Sequence, residues 1–72
     1  MFTSWLFEQQ DRDDRVGLMA RTAFDDFNAG CASLFSDAVG WKTHFESRHV
    51  KHYHFLLGLL GDAFVEYSTL VK

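Results

Sequence analysis

Four histidines lie close together in the second half of this 72-residue chain, and they are the side chains best suited to chemistry. On a helix, His49 and His52 would share one face, and two imidazoles at that spacing can bind zinc or copper. A stable site needs three or four ligands, so His44 or Cys31 would have to complete it from another helix. Because the spacing supplies only a pair, the sequence predicts no metal site and no cofactor, and we interpret the histidines as a partly exposed polar face.

The histidines are interleaved with basic side chains, which suggests an electrostatic role. Imidazoles gain charge below about pH 6.5, and the segment 42–54 would then be strongly basic. Such a patch could bind an acidic protein surface, a phosphate backbone or the acidic half of a second copy. The candidate binding residues are Lys42, His44, Arg48, His49, Lys51, His52 and His54.

Catalytic chemistry finds little support in the sequence. Cys31 follows a glycine in a predicted loop, and a cysteine nucleophile needs a base and an orienting group in a cleft. The Asp-rich stretch at 11–14 lacks the further ligands of a calcium loop. We therefore expect no enzymatic activity, no catalytic residue and no small-molecule substrate.

Composition predicts a single domain, residues 1–72, held together by apolar packing. Hydrophobic residues make up 47% of the chain and aromatic residues 17%, and the one cysteine permits no internal disulfide. That aromatic surface could exceed what so small a domain can bury, which makes a self-association interface a possibility. No apolar run reaches the length of a membrane span and nothing resembles a signal peptide, so the expected location is the cytoplasm.

The net charge of −3 is unevenly distributed, which bears on the choice of partner. Residues 1–37 contain seven acidic and three basic side chains, whereas residues 38–72 contain three acidic and four basic ones. An acidic chain is unfavourable for general nucleic-acid binding. A helix-turn-helix is also disfavoured, because residues 31–41 contain no lysine or arginine to contact phosphates. Weak nucleic-acid binding through the 42–54 segment is the alternative to a protein partner.

Apolar residues at helical spacing predict about four helices and no strands. A short first helix covers about residues 3–10, and a polar turn follows it. The second helix is the clearest, because Asp13 or Asp14 can cap its start and Gly30 can end it in the left-handed conformation. Its apolar face contains Val16, Met19, Ala20, Ala23, Phe24 and Phe27, and its solvent side contains Arg21, Asp25 and Asp26.

The third and fourth helices are less sharply defined. Ser33 or Ser36 marks the start of the third, and the fourth begins near residue 48. Gly58 and Gly61 lie within the fourth helix, and each costs about 1 kcal/mol relative to alanine. We favour an unbroken helix that packs closely at these glycines over a break and a fifth helix. Its apolar stripe contains Val50, Tyr53, Leu57, Leu60, Phe64, Tyr67 and Val71.

The N-terminal third resembles a known family. Residues 5–21 contain a Trp-Leu-x-x-Gln helix, an Arg-Asp-Asp turn, a Val-Gly step and an Ala-Arg helix, with Trp5, Gln9, Arg12, Asp13, Asp14 and Gly17 as the motif residues. This order is similar to the opening motif of the YozE-type SAM-like family of small, uncharacterised bacterial proteins. Arg15 stands where that family usually has proline. The resemblance implies a compact helical bundle and implies no reaction.

The motif residues themselves are interpreted as structural. Arg12 and the Asp pair would hold a turn, and Gly17 would permit the close approach of another backbone. The sequence as a whole predicts an all-α, four- or five-helix SAM-like bundle that binds a protein partner or a second copy of itself, with no membrane association. Its predicted core contains Trp5, Leu6, Val16, Met19, Ala20, Ala23, Phe24, Phe27, Leu34, Trp41, Phe45, Tyr53, Leu57, Leu60 and Phe64.

Overall fold

The computed structural model describes residues 1–70, most of which lie in four α-helices. These are α1 (Phe2–Phe7), α2 (Arg15–Asn28), α3 (Ala38–Arg48) and α4 (Tyr53–Leu70), with a 3-10 turn at Val50–His52 before α4. The described part of the chain contains no strand. α4 packs against the other three helices, and α1 also packs on α2. The small all-α bundle predicted from the sequence is therefore confirmed.

Aspartate caps fix the starts of the two middle helices. Asp14, one of the two predicted caps of α2, accepts a hydrogen bond from the backbone N–H of Gly17 at 2.9 Å. Asp37 caps α3 by accepting hydrogen bonds from two backbone N–H groups at 3.1 and 3.3 Å. The prediction that Ser33 or Ser36 starts this helix is wrong, because the carboxylate of Asp37 satisfies the free N–H groups.

The core forms where α4 faces the other helices. Its buried apolar residues are Phe2, Leu6, Val16, Met19, Ala20, Ala23, Trp41, Phe45, Leu56, Leu59, Leu60 and Ala63. The predicted inward face of α2 supplies four of them. The predicted face of α4 is partly confirmed, because Leu60 is buried and Tyr53, Leu57 and Tyr67 are partly buried against the core. It is wrong at Phe64, which is exposed, and it missed the buried Leu56 and Leu59. Leu34, also predicted for the core, precedes α3 and is 53% exposed.

α4 is unbroken from Tyr53 to Leu70, as favoured from the sequence. Both of its glycines are exposed. An added Cβ would meet nothing within 4 Å at Gly61 and only the end of the Arg15 side chain at Gly58. The expected close packing at these glycines is therefore wrong. Val71 lies outside the described residues. Within residues 1–70, no helix combines the length and apolar character that crossing a membrane requires.

The residues of the family-like motif hold the corner between α1 and α2. The Trp5 ring contacts Tyr67 of α4 with centroids 5.5 Å apart, and the Gln9 amide donates a hydrogen bond to the Trp5 carbonyl at 2.9 Å. Arg12 donates to the Asp14 carboxylate at 2.7 Å, so the predicted turn is present. The side chain of Asp13 is exposed, and a structural role for the motif as a whole stays a prediction.

Two glycines are required by the local backbone geometry. Gly30 ends α2 as predicted, with a φ of 78° in the left-handed region. At Gly17, in the first turn of α2, a Cβ would overlap the carbonyl oxygen of Arg12. The predicted close approach of another backbone is thus present, and it comes from the preceding turn rather than from another helix.

We expect Gly17→Ala to lower the free energy of unfolding by about 1–3 kcal/mol, because the added methyl group would displace the turn. The matched change Gly61→Ala, at an open position of α4, should raise it by up to about 1 kcal/mol, since glycine is unfavourable within helices. Urea unfolding of the wild type and both variants measures the two effects. Equal effects at the two positions would contradict the close contact at Gly17.

A buried chain of hydrogen bonds joins α1 to α3. The Trp41 indole N–H donates to the Thr3 hydroxyl oxygen at 2.7 Å, and the Thr3 hydroxyl donates to the Phe35 carbonyl oxygen. Thr3 and Trp41 are fully buried, so water cannot replace either partner. The polar atoms of the chain are therefore satisfied only while α1, α3 and the segment before α3 keep their relative positions.

Thr3→Val preserves the shape of this side chain but leaves the Trp41 N–H unpaired in the core. We expect the free energy of unfolding to fall by about 1–3 kcal/mol. Thr43→Val, at an exposed position of α3, is the control and should change it by less than about 0.5 kcal/mol. Thermal or urea unfolding distinguishes the two, and a neutral Thr3 variant would show that this hydrogen-bond chain does not stabilise the fold.

Candidate functional site

A carboxylate and two imidazoles meet where the last turn of α2 lies beside the C-terminal half of α3. Asp26 belongs to α2, His44 to α3, and His49 is the residue that caps the C-terminus of α3. The Nε2 atoms of both histidines lie 2.7 Å from the same atom, Oδ2 of Asp26. A single oxygen atom of α2 therefore contacts two imidazole rings, one from α3 and one from the residue that caps α3. We call these three residues the Asp–His cluster.

The end of α3 and its aromatic neighbours position the two rings. His49 has φ −120° and ψ 56°, so the helix stops there. Its ring packs on Phe45 and on His44 with centroids 5.8 and 6.2 Å apart. The His44 ring also contacts Trp41 and Phe35, at 5.8 and 6.1 Å. Packing against large rings of the core restricts the rotation of both imidazoles.

The Asp–His cluster is largely closed to water. The His44 and Asp26 side chains are 7% and 14% exposed, and His49 is 28% exposed. Burial alone would raise the pKa of Asp26, but the hydrogen bonds from His44 and His49 outweigh it and hold the pKa below its usual value. An ionised carboxylate only accepts hydrogen bonds, so each imidazole must present a proton at Nε2.

Each residue of the Asp–His cluster offers one ligand atom, and these atoms lie within 4.8 Å of one another. Imidazole nitrogen and carboxylate oxygen are ligands that zinc and similar divalent ions accept. The pair predicted to share a helical face, His49 and His52, does not form. His49 caps α3, whereas His52 ends the 3-10 turn, so the two do not lie in one helix.

The structure divides the predicted basic patch into three parts. His44 and His49 are in the Asp–His cluster, and Lys42 lines a groove on a different side of α3. The remaining members are exposed, namely Arg48, Lys51, His52 and His54. A binding role for these residues stays a prediction, but only part of the segment presents charge to a partner.

Asp26 was predicted to lie on the solvent side of α2 and was not among the residues predicted for a site, but its side chain is only 14% exposed. It lies eighteen residues from His44 in the chain, and Asp25 beside it gave no reason to distinguish the two. A signal was nevertheless present. Asp26 follows Met19 by seven residues and Ala23 by three, which places its carboxylate near the apolar face of α2. A charged residue at such a position indicates a buried partner.

An apolar groove runs between α3 and α4. It has a volume of about 200 Å³, below the range of about 300–1,000 Å³ that is typical of small-molecule sites. Val39 and Phe64 are 68% and 42% exposed along it. Its size and apolar character suit the side chains of a protein partner. The groove is lined by Ala38, Val39, Lys42, Leu57, Leu60, Gly61 and Phe64.

Two groups of ion pairs tie α4 to the start of α2. Arg12 pairs with Asp14 and Glu66, and Arg15 pairs with Asp62 at 2.5 Å. The hydrogen bond with Arg12 is the main cause that lowers the pKa of Glu66. The bond with Glu66, and then that with Asp14, raises the pKa of Arg12. Arg12 and Arg15 are thus already paired with carboxylates, which leaves little positive charge between α2 and α4 for an anionic ligand.

Comparison with protein-family models, with curated proteins and with solved structures finds no match for this chain. The geometry of its own residues is therefore the basis for a proposal of function.

The lowered pKa of Glu66 predicts a pH dependence of stability. A carboxylate with a depressed pKa stabilises the fold fully above its unfolded pKa of about 4.3, and this contribution disappears as the pH falls through the folded pKa. We expect the urea midpoint of the wild type to exceed that of Glu66→Gln near neutral pH at low salt. The difference should vanish toward pH 2. Asp13→Asn, at an exposed position, is the control. A difference in urea midpoint between the wild type and Glu66→Gln that does not change with pH would contradict the ion pair.

Proposed function

We propose that this protein is a helical interaction module that associates with a second copy of itself through the groove between α3 and α4. The observation that carries the proposal is the combination of an open apolar groove and an exposed aromatic ring, Phe64, on its edge. The resemblance to YozE-type SAM-like proteins is compatible with this role, since it implies a compact bundle without a reaction.

α4 is apolar on more than one side, which supports a partner for its outer surface. Its inner face is buried in the core, while Phe55, Phe64, Val65 and Leu70 are exposed. A surface helix normally keeps one apolar stripe, and a helix that is apolar nearly all round is normally buried. Covering the groove side of α4 would remove Phe64 from water.

A second copy is the occupant that the groove fits best. In a two-fold contact the same patch meets itself, so it must contain both a projection and a cavity. Phe64 supplies the projection, and the groove beside it supplies the cavity. Lys42, the charged residue of the lining, can lay its stem along the apolar surface and keep its ammonium group in water.

Nucleic-acid binding is less well supported. Two of the seven candidate residues, His44 and His49, face Asp26 instead of the surface. The net charge is negative, and a protein–phosphate interface depends mainly on positive charge.

Sedimentation velocity over a wide range of concentrations tests the proposal. We expect the wild type to form dimers reversibly as the concentration rises. Val39→Glu places a charge in the groove at an exposed position and should weaken the dimer at least about 10-fold, equivalent to about 1.4 kcal/mol. Val50→Glu is the matched control, because Val50 is 73% exposed and lies outside the groove lining.

A wild type that stays monomeric at the highest concentration would contradict the proposal. Equal weakening by both glutamate variants would place the contact elsewhere on the surface. Circular dichroism of each variant verifies that its helices are intact before association is compared.

A further inference from the structure

We propose that Asp26, His44 and His49 form a binding site for one zinc ion. Two imidazole nitrogens and one carboxylate oxygen, with a fourth position open to water, are a ligand set that zinc accepts. The ligands come from the end of α2, the C-terminal half of α3 and the residue after α3. The proposal is independent of the groove, which uses other residues.

The three ligand atoms already lie close to one another. Around a tetrahedral zinc ion, ligand atoms at about 2.0–2.1 Å from the metal lie about 3.3 Å from one another. In the Asp–His cluster, each Nε2 lies 2.7 Å from Oδ2 of Asp26, and all three atoms lie within 4.8 Å. Each oxygen–nitrogen separation must therefore widen by about 0.6 Å, which small side-chain rotations can supply.

Zinc would take the place of the two hydrogen bonds, and both imidazole rings would remain neutral. A neutral imidazole that gives up its Nε2 proton to water can take a proton at Nδ1, so the ring stays neutral while Nε2 donates its lone pair to the metal. The Asp26 carboxylate is ionised and offsets one of the two positive charges. His49 is the most exposed ligand, so its side of the cluster gives access to the ion and to a bound water molecule.

The packing around the ligands favours a defined site over nonspecific binding by surface histidines. His44 is fixed by aromatic rings of the core, and His49 packs on Phe45 and on His44. By contrast, His52 and His54 are exposed. Variants of the Asp–His cluster and of these two exposed histidines can therefore distinguish zinc binding at the cluster from zinc binding at the surface.

Isothermal titration of the metal-free protein with zinc chloride at pH 7 measures affinity and stoichiometry, and cobalt absorption reports coordination geometry. We expect one ion per chain and the strong visible bands of tetrahedral cobalt. Asp26→Asn and His49→Gln should each lower the affinity by at least 10- to 100-fold, the loss that even an outer-shell partner can cause. The double variant with His52→Gln and His54→Gln should bind like the wild type.

Absence of saturable binding to the wild type would overturn the proposal. So would retained affinity in His49→Gln, or loss of binding in the double surface variant, because either result would assign the ion to other ligands. Circular dichroism of the metal-free variants verifies folding. If Asp26→Asn does not fold, His49→Gln, which changes the most exposed ligand, decides the question alone.

Discussion

One carboxylate oxygen of Asp26 determines how the end of α2 meets the end of α3. This atom, Oδ2, lies 2.7 Å from Nε2 of His44 in α3 and 2.7 Å from Nε2 of His49, which caps α3. The main helix packing in the bundle runs through α4, which contacts α1, α2 and α3. The Asp–His cluster adds a direct polar link between α2 and α3. By holding His49 it also defines the corner from which the 3-10 turn leads into α4.

The Asp–His cluster and the groove lie on different sides of α3. Val39 and Lys42 border the groove, whereas Trp41, His44 and Phe45 are buried. At 100° per residue, Val39 and His44 differ in direction by about 140°. The inward side of α3 therefore supplies packing and the cluster, and the outward side supplies the surface proposed for association.

The sequence was sufficient for the features that depend on local chemistry. The Asp14 cap and the Gly30 terminus of α2 follow from backbone preference and are present, and four of the six residues of its predicted apolar stripe are buried. The other two, Phe24 and Phe27, are only partly buried. The inward face of α4 could not be obtained in the same way. Residues 55–60 are almost continuously apolar, so several helical stripes fit them equally well, and only packing against the other helices selects Leu56 and Leu59.

The candidate sites, too, could be predicted from local sequence patterns only in part. All four histidines were identified as a group, but a regular helix through 49–52 was assumed, and the 3-10 turn separates those residues. The partner, Asp26, is in another helix, and its inward position was visible only from its spacing to Met19 and Ala23. The groove depends on the relative placement of α3 and α4, which no local pattern encodes.

The most direct test of this account is the protonation of the two cluster imidazoles in the metal-free protein. Long-range proton–nitrogen correlation spectra of the histidine side chains at neutral pH assign the protonated nitrogen of each ring. We predict that His44 and His49 both carry a proton at Nε2, with a single, slowly exchanging state that differs from that of the exposed His52 and His54. Rings of His44 and His49 that exchange freely between tautomers, or that carry their only proton at Nδ1, would contradict the hydrogen bonds to Asp26.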